Sequence, residues 1–282
     1  MKAMREQWVH CLDPHGFHRM HYVEWGDAAN PRVLICVHGL TRNARDFDYV
    51  AERLSDAYRV VCPDVVGRGH SEWLRDKADY QYSLYCNDMA TLIARVGAET
   101  VDWLGTSMGG IIGMLLASRP GSPLRKLVVN DVGSLIPKAA LERICTYVGR
   151  EPSFDSLAAL EAAMRSVSPF GELTDDQWRH LAVHVARHDD DGQWRFRYDP
   201  GIGEGPDFRG PMKDVDLSGV WNAVHGPALV IRGEQSDLLL PETLEEMARR
   251  PHTETHVVPR TGHAPMLMDD AQVMRIRHFL LS

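Results

Sequence analysis

Short apolar runs recur along the chain, and most are followed by a stretch whose apolar positions return every three or four residues. The runs are Met20–Trp25, Val33–Val37, Arg59–Cys62, Thr100–Leu104, Leu124–Asn130, Ala228–Ile231 and Thr255–Val258. They are rich in β-branched residues and short enough to be buried strands. The stretches that follow have helical periodicity near Asp46–Ser55, Ser83–Val96, Gly109–Ser118, Pro241–Arg250 and Asp270–Leu280. Such alternation predicts an α/β fold: a mostly parallel sheet with helices on both faces. The segment "DPHGFHRM" reads as a hairpin-like entry.

The rhythm breaks after Asp131. From Gly133 to Asp214 no strong buried strand is visible. Helical patterns take its place, in "KAALERICTYVG", "SLAALEAAMRSV" and "TDDQWRHLAVHVARH", followed by a Gly-, Pro- and aromatic-rich tract. The strand–helix alternation resumes at "PALVIRGE". The expectation is a core built from residues 1–132 and 215–282, with 133–214 inserted as a helical cap. Insertions at the C-terminal ends of parallel strands lie where open α/β sheets bind ligands.

Composition narrows the classes of function. A formal net charge of −8 over 282 residues leaves no basic excess to neutralise phosphates, which argues against nucleic-acid binding. The five cysteines are scattered, with no C-x-x-C pair, so neither a disulfide framework nor a zinc site is expected. The N-terminal "MKAMREQWVH" lacks an apolar signal core, and no run reaches the length of a membrane span. The expectation is a cytoplasmic protein with no membrane association, for which a homodimer is one possible assembly.

One stretch carries chemistry. In "VDWLGTSMGGIIGMLLASRP" a strand enters and a helix leaves, with Ser107 between Gly105 and Gly109. So short a reversal forces Ser107 onto a sharp turn and projects its hydroxyl from the sheet edge. The glycines remove side chains that would collide across it. A serine hydroxyl becomes a nucleophile only beside a base, and the base needs an orienting acid. His263, in the loop "TGHAP" after the last strand, is the expected base. Asp237, in "GEQSD" after the preceding strand, is the preferred acid, with Asp131 at the end of "LVVND" as the alternative. The strand "LICV" ends in His38-Gly39, and Leu40 opens a loop. The amides of Leu40 and Met108 are placed to form an oxyanion hole. His38 reads as a side chain that holds this loop.

Together "VHGLTRN", "PDVVGRGHSE", "GTSMGG", "GEQSD" and "TGHAP" resemble the α/β-hydrolase superfamily over essentially the whole length, in its serine carboxylesterase-like branch. The resemblance implies an eight-stranded sheet with an inserted helical cap. It also implies Ser107 as nucleophile, Asp237 as acid, His263 as base, and Leu40 and Met108 as oxyanion-hole amides. Haloalkane dehalogenases and epoxide hydrolases carry Asp at the elbow, which Ser107 contradicts. The "SMGG" run is similar to that of hydrolases that cleave C–C bonds in meta-cleavage products, but "HGLTRN" departs from their glycine-rich loop.

The leading expectation is therefore a hydrolase of small acyl or aryl carboxylic esters, working through an acyl-enzyme with neither metal nor cofactor. C–C hydrolysis of dienoates by the same residues is the alternative. A non-catalytic receptor for a small ligand on this fold is the second. Substrate selection is expected from His38, Gly39, Trp178 and Trp194, with Phe196 and Tyr198 as further candidates for an apolar wall. Arg195 and Arg197, which alternate with Trp194 and Phe196, read as solvated surface.

Overall fold

The computed structural model describes residues 4–282. Its centre is an eight-stranded sheet formed by β1 (Arg5–Asp13), β2 (Gly16–Trp25), β3 (Val33–Val37), β4 (Arg59–Pro63), β5 (Val101–Thr106), β6 (Leu124–Asn130), β7 (Ala228–Gly233) and β8 (Thr253–Val258). The spatial order is β1-β2-β4-β3-β5-β6-β7-β8. All neighbours from β4 to β8 are parallel, and β2 runs antiparallel to both β1 and β4.

The continuous apolar runs are explained by burial on both faces. Val33, Ile35 and Val37 of β3 pack into one core, and Leu34 and Cys36 into the other. A strand covered on both sides loses its polar alternation. The first core is closed by α2 (Tyr82–Val96) and α3 (Met108–Ala117). The second is closed by α1 (Asp48–Leu54) and the C-terminal helix Asp270–Leu281. Strand β1 was not among the predicted strands. It is an edge strand with a mixed pattern, burying Val9 and Cys11 while Trp8 and Leu12 face solvent.

Between β6 and β7 the chain leaves the sheet and forms α4 (Lys138–Cys145), α5 (Leu157–Val167) and α6 (Asp175–Val185), then a small hairpin pairing Ala186–His188 with Trp194–Phe196. Leu135–Ile136 pairs antiparallel with Val215–Asp216, which ties the two ends of this excursion together. Helices α5 and α6 have their own small core of Leu160, Met164, Trp178, Leu181 and Val185, completed by Met266 and Met268 from the loop after β8. Helix α6 is opened by a capping box between Thr174 and Gln177.

Helix α3 is buried from Met108 through Met114, so it is the central helix of its layer. Its approach to β5 leaves no room for a side chain at the crossing. A Cβ on Gly105 would lie 2.1 Å from the Gly109 carbonyl oxygen, and one on Gly109 would lie 2.0 Å from that of Val37. Gly105→Ala should therefore displace α3 from the sheet. The expected cost is about 3 kcal/mol, or roughly 6–12 °C in Tm for a chain of this size. Thermal denaturation checks this, and an unchanged Tm would refute the close-packing account.

Candidate active site

Ser107 sits between β5 and α3 with φ 52° and ψ −114°. A non-glycine residue in this region is strained and is held there only by its surroundings. The constraints are visible. The Ser107 N–H donates to the Asn130 carbonyl at 2.8 Å, and the Ser107 carbonyl accepts from Gly110 and Ile111. Asn130 is itself fixed, its Nδ2 donating to Thr106 Oγ1 and to the Pro265 carbonyl.

His263 lies in the loop after β8, as expected, with Nε2 3.0 Å from Ser107 Oγ. Its Nδ1 is 2.8 Å from Asp131 Oδ2. Asp131 is fully buried, and its other oxygen accepts from the Gly233 N–H at 2.8 Å. Both carboxylate oxygens thus have a partner, and one is aimed at the imidazole. This tautomer, with the proton on Nδ1, leaves Nε2 free to accept from the serine hydroxyl.

Asp237 does not meet His263. Its carboxylate is half exposed and takes a bidentate pair from Arg143, at 2.6 Å to Nε and 2.9 Å to Nη2. The preference for Asp237 over Asp131 as the partner of His263 is therefore corrected by the structure. The reason lies in the loop after β7. Glu234 and Gln235 donate backbone hydrogen bonds to the Val258 and Thr261 carbonyls, and Ser236, Leu238 and Leu239 are buried. Between Ser236 and Leu238 the Asp237 side chain is left pointing out. The missed signal was the register of β5 with β6, which pairs Thr106 with Asn130 and so brings Ser107 and Asp131 off the sheet side by side.

The loop at Gly39-Leu40 is braced from behind. His38 is fully buried. Its Nδ1–H donates to the Gly39 carbonyl at 2.7 Å, and its Nε2 accepts from the Val65 N–H at 2.9 Å. The Arg42 N–H also donates to the Gly39 carbonyl. A trans peptide points its N–H opposite to its carbonyl, so pinning the Gly39 oxygen fixes the direction of the Leu40 N–H. Burial pushes the His38 pKa down to about 4, which keeps the ring neutral. Arg68, also fully buried, donates from Nε to the Leu40 carbonyl at 2.8 Å and from Nη1 to the Val66 carbonyl and the Tyr85 hydroxyl. Nothing in the sequence singled out this arginine. An arginine in a glycine-rich turn gives no sign of burial until its carbonyl partners are known.

Ser107 and His263 line a cavity of about 760 Å³. Gly39 and Leu40 line it from the core, and Ile144, Met164, Phe196 and Tyr198 line it from the excursion between β6 and β7. Three expected pocket residues do not. Trp178 is buried against Phe170, with ring centroids 5.7 Å apart, in the core of α5 and α6. Trp194 packs on His188 and pairs through its backbone with Phe154. His38 is screened from the cavity by its own loop. Arg195 is held by Asp189 and Asp191, and Arg197 donates to the Ala186 carbonyl. Among the described residues, two groups elsewhere bring metal-ligating atoms within 4.8 Å of one another, Cys11–His18–Asp88 and Asp48–His180–His184. Neither borders this cavity, and His18 and His180 are already hydrogen-bonded to protein groups.

Residues 34–276 match the model of the alpha/beta hydrolase family. The chain is 49% identical over 276 residues to the 3-hydroxybutyrate-oligomer hydrolase of Cupriavidus necator, covering 94% of each. It is 30% identical to the esterase Rv0045c of Mycobacterium tuberculosis, over 86% of this chain and 79% of the other. The crystal structure of an alpha/beta hydrolase from Novosphingobium aromaticivorans superposes with a TM-score of 0.88 at 35% identity, covering 100% of this chain and 99% of that one.

The buried neutral His38 has a consequence for acid stability. In the unfolded chain its ring takes a proton below about 6.5, whereas in the fold it stays neutral down to about 4. Its contribution is complete above pH 6.5 and is lost as pH falls from 6.5 toward 4, by roughly 3 kcal/mol in all. His184, lowered to about 3 chiefly by burial, acts in the same direction. A His38→Gln variant should show a flatter dependence of Tm on pH between 6.5 and 4 than the wild type. Parallel curves would refute the assignment.

Proposed function

The chain belongs to the alpha/beta hydrolase family, and we propose that it cleaves carboxylic esters with Ser107 as nucleophile, His263 as base and Asp131 as acid. The observation that carries this reading is the unbroken run from Ser107 Oγ to His263 Nε2 at 3.0 Å and from His263 Nδ1 to Asp131 Oδ2 at 2.8 Å. It opens on a cavity with apolar walls.

In this mechanism His263 Nε2 takes the hydroxyl proton as Ser107 Oγ attacks the ester carbonyl. Asp131 stays ionised and stabilises the imidazolium through Nδ1–H. The oxyanion is received by the Leu40 and Met108 amides, the first held in direction by His38 and Arg68, the second at the start of α3. His263 then protonates the departing alcohol, and water repeats the sequence on the acyl-enzyme. Residues 133–214 act as a cap that selects the substrate through Ile144, Met164, Phe196 and Tyr198, not through Trp178 or Trp194. Similarity to the 3-hydroxybutyrate-oligomer hydrolase of Cupriavidus necator supports oligomers of 3-hydroxybutyrate as the substrate.

Ser107→Ala should lower turnover of such an oligomer by on the order of 10⁴ to 10⁶ while the fold persists. A variant keeping a tenth of wild-type activity would sink the nucleophile. The acid is tested by comparison. Asp131→Asn should cost about 10⁴ in kcat by leaving the imidazole in the wrong tautomer, whereas Asp237→Asn, which breaks a surface ion pair, should cost less than about fivefold. The reverse ranking would return the acid to the loop after β7.

A further inference from the structure

The charges around the Ser107 cavity are paired off with one exception. Arg42 is bound bidentately by Asp46, at 2.8 and 2.6 Å. Arg143 is held in the same way by Asp237. Glu151 is taken by Arg187, and His263 by Asp131. Arg150 also lines this cavity, and among the described residues its guanidinium has neither a hydrogen-bond nor an ion-pair partner. The backbone that carries it is held in place. The Arg150 carbonyl accepts from the Tyr198 hydroxyl at 3.0 Å, and its N–H donates to the Tyr147 carbonyl. The exposed residues Thr146, Tyr147, Arg150, Glu151 and Pro152 form one stretch of the cavity wall, which is therefore its mouth.

We propose that Arg150 is a carboxylate-binding subsite and that this hydrolase prefers esters whose alcohol portion ends in a free carboxylate. The proposal rests on the ester-hydrolase reading of the same site. A protein of formal net charge −8 repels anions at long range, so an uncompensated cation at the mouth of this cavity matters more here than on a basic surface. Guanidinium groups take carboxylates in a planar two-point arrangement, and apolar walls strengthen the pair. In an oligomer of hydroxy acids every internal ester joins an acyl portion ending in a hydroxyl to an alcohol portion ending in a carboxylate. Holding that carboxylate at the mouth directs the alcohol portion outward and the acyl portion inward. Attack then breaks the acyl C–O bond. Water supplies a hydroxyl to the acyl carbon and a proton to the alcohol oxygen, and the released hydroxy acid leaves from the mouth. The chain would thus be shortened from its carboxylate end.

The test compares 3-hydroxybutyrate dimer as the free acid with the same dimer as its neutral terminal amide, using the wild type, Arg150→Gln and Arg150→Lys. The readout is the ratio of kcat/KM for the two substrates within one preparation, so loss of folded enzyme cancels. The wild type should favour the free acid by about tenfold, mainly through KM, and added salt should shrink the preference. Arg150→Gln should bring the ratio close to one, and Arg150→Lys should fall between. A wild-type ratio near one, or a wild-type ratio retained by Arg150→Gln, overturns the subsite while leaving ester hydrolysis standing. Failure to cleave both dimers removes the 3-hydroxybutyrate-oligomer reading and the subsite with it.

Discussion

The arrangement at the nucleophile depends on the register between two adjacent parallel strands. Thr106 of β5 stands opposite Asn130 of β6, so Ser107 and Asp131 leave the sheet together. The Ser107 amide is bonded to the Asn130 carbonyl across that register. Ser107 and Asp131 both have positive φ, 52° and 57°. Neighbouring strands that end on strained turns present their side chains above one sheet edge, and a single imidazole can bridge them. A slip of one residue would turn one of the two to the opposite face. The close approach of α3 at Gly105 and Gly109 is what holds the first turn in place.

Behind this edge lies a second polar layer that never meets the cavity. Asp64 is buried and receives hydrogen bonds from the Ala44 and His70 amides and from His21 Nδ1. These contacts hold its carboxyl below the usual range in spite of burial. His38 and Arg68 tie the chain on either side of Gly39-Leu40 to the strand end that carries Asp64. Buried polar groups are costly unless satisfied, and Asp64, His38 and Arg68 are satisfied here mainly by backbone atoms. What they specify is the path of two loops, and therefore the direction of the Leu40 amide.

The cavity joins a rigid floor to a wall of different origin. Its floor comes from the ends of parallel strands, where the backbone is locked by the sheet. Its wall comes from the excursion between β6 and β7, whose helices pack on one another and on Met266 and Met268. The loop bearing His263 thus also supports that wall, so the base and the substrate-facing surface are mechanically continuous. The tryptophans of the excursion serve its internal packing, and Tyr147, Phe170, Phe196 and Tyr198 are aromatics it contributes to the cavity wall.

The strands and helices were legible in the chain because burial on two faces and helical periodicity are local in sequence. Val33–Val37 and Leu124–Asn130 were delimited to the residue, and the turn at Ser107 announced itself through glycines within two positions. His263 was found because its place after the last strand is also a matter of order along the chain. The partner of His263 was not. Asp131 and Asp237 each end or follow a strand, and nothing within either loop distinguishes an aspartate turned inward from one turned out to Arg143. The same holds for Arg68, for Trp178 and for the lone charge of Arg150. Chain order states which residues can arrive at the sheet edge. Which of them face one another is settled by strand register and by the burial of neighbouring side chains, and both are properties of the folded whole.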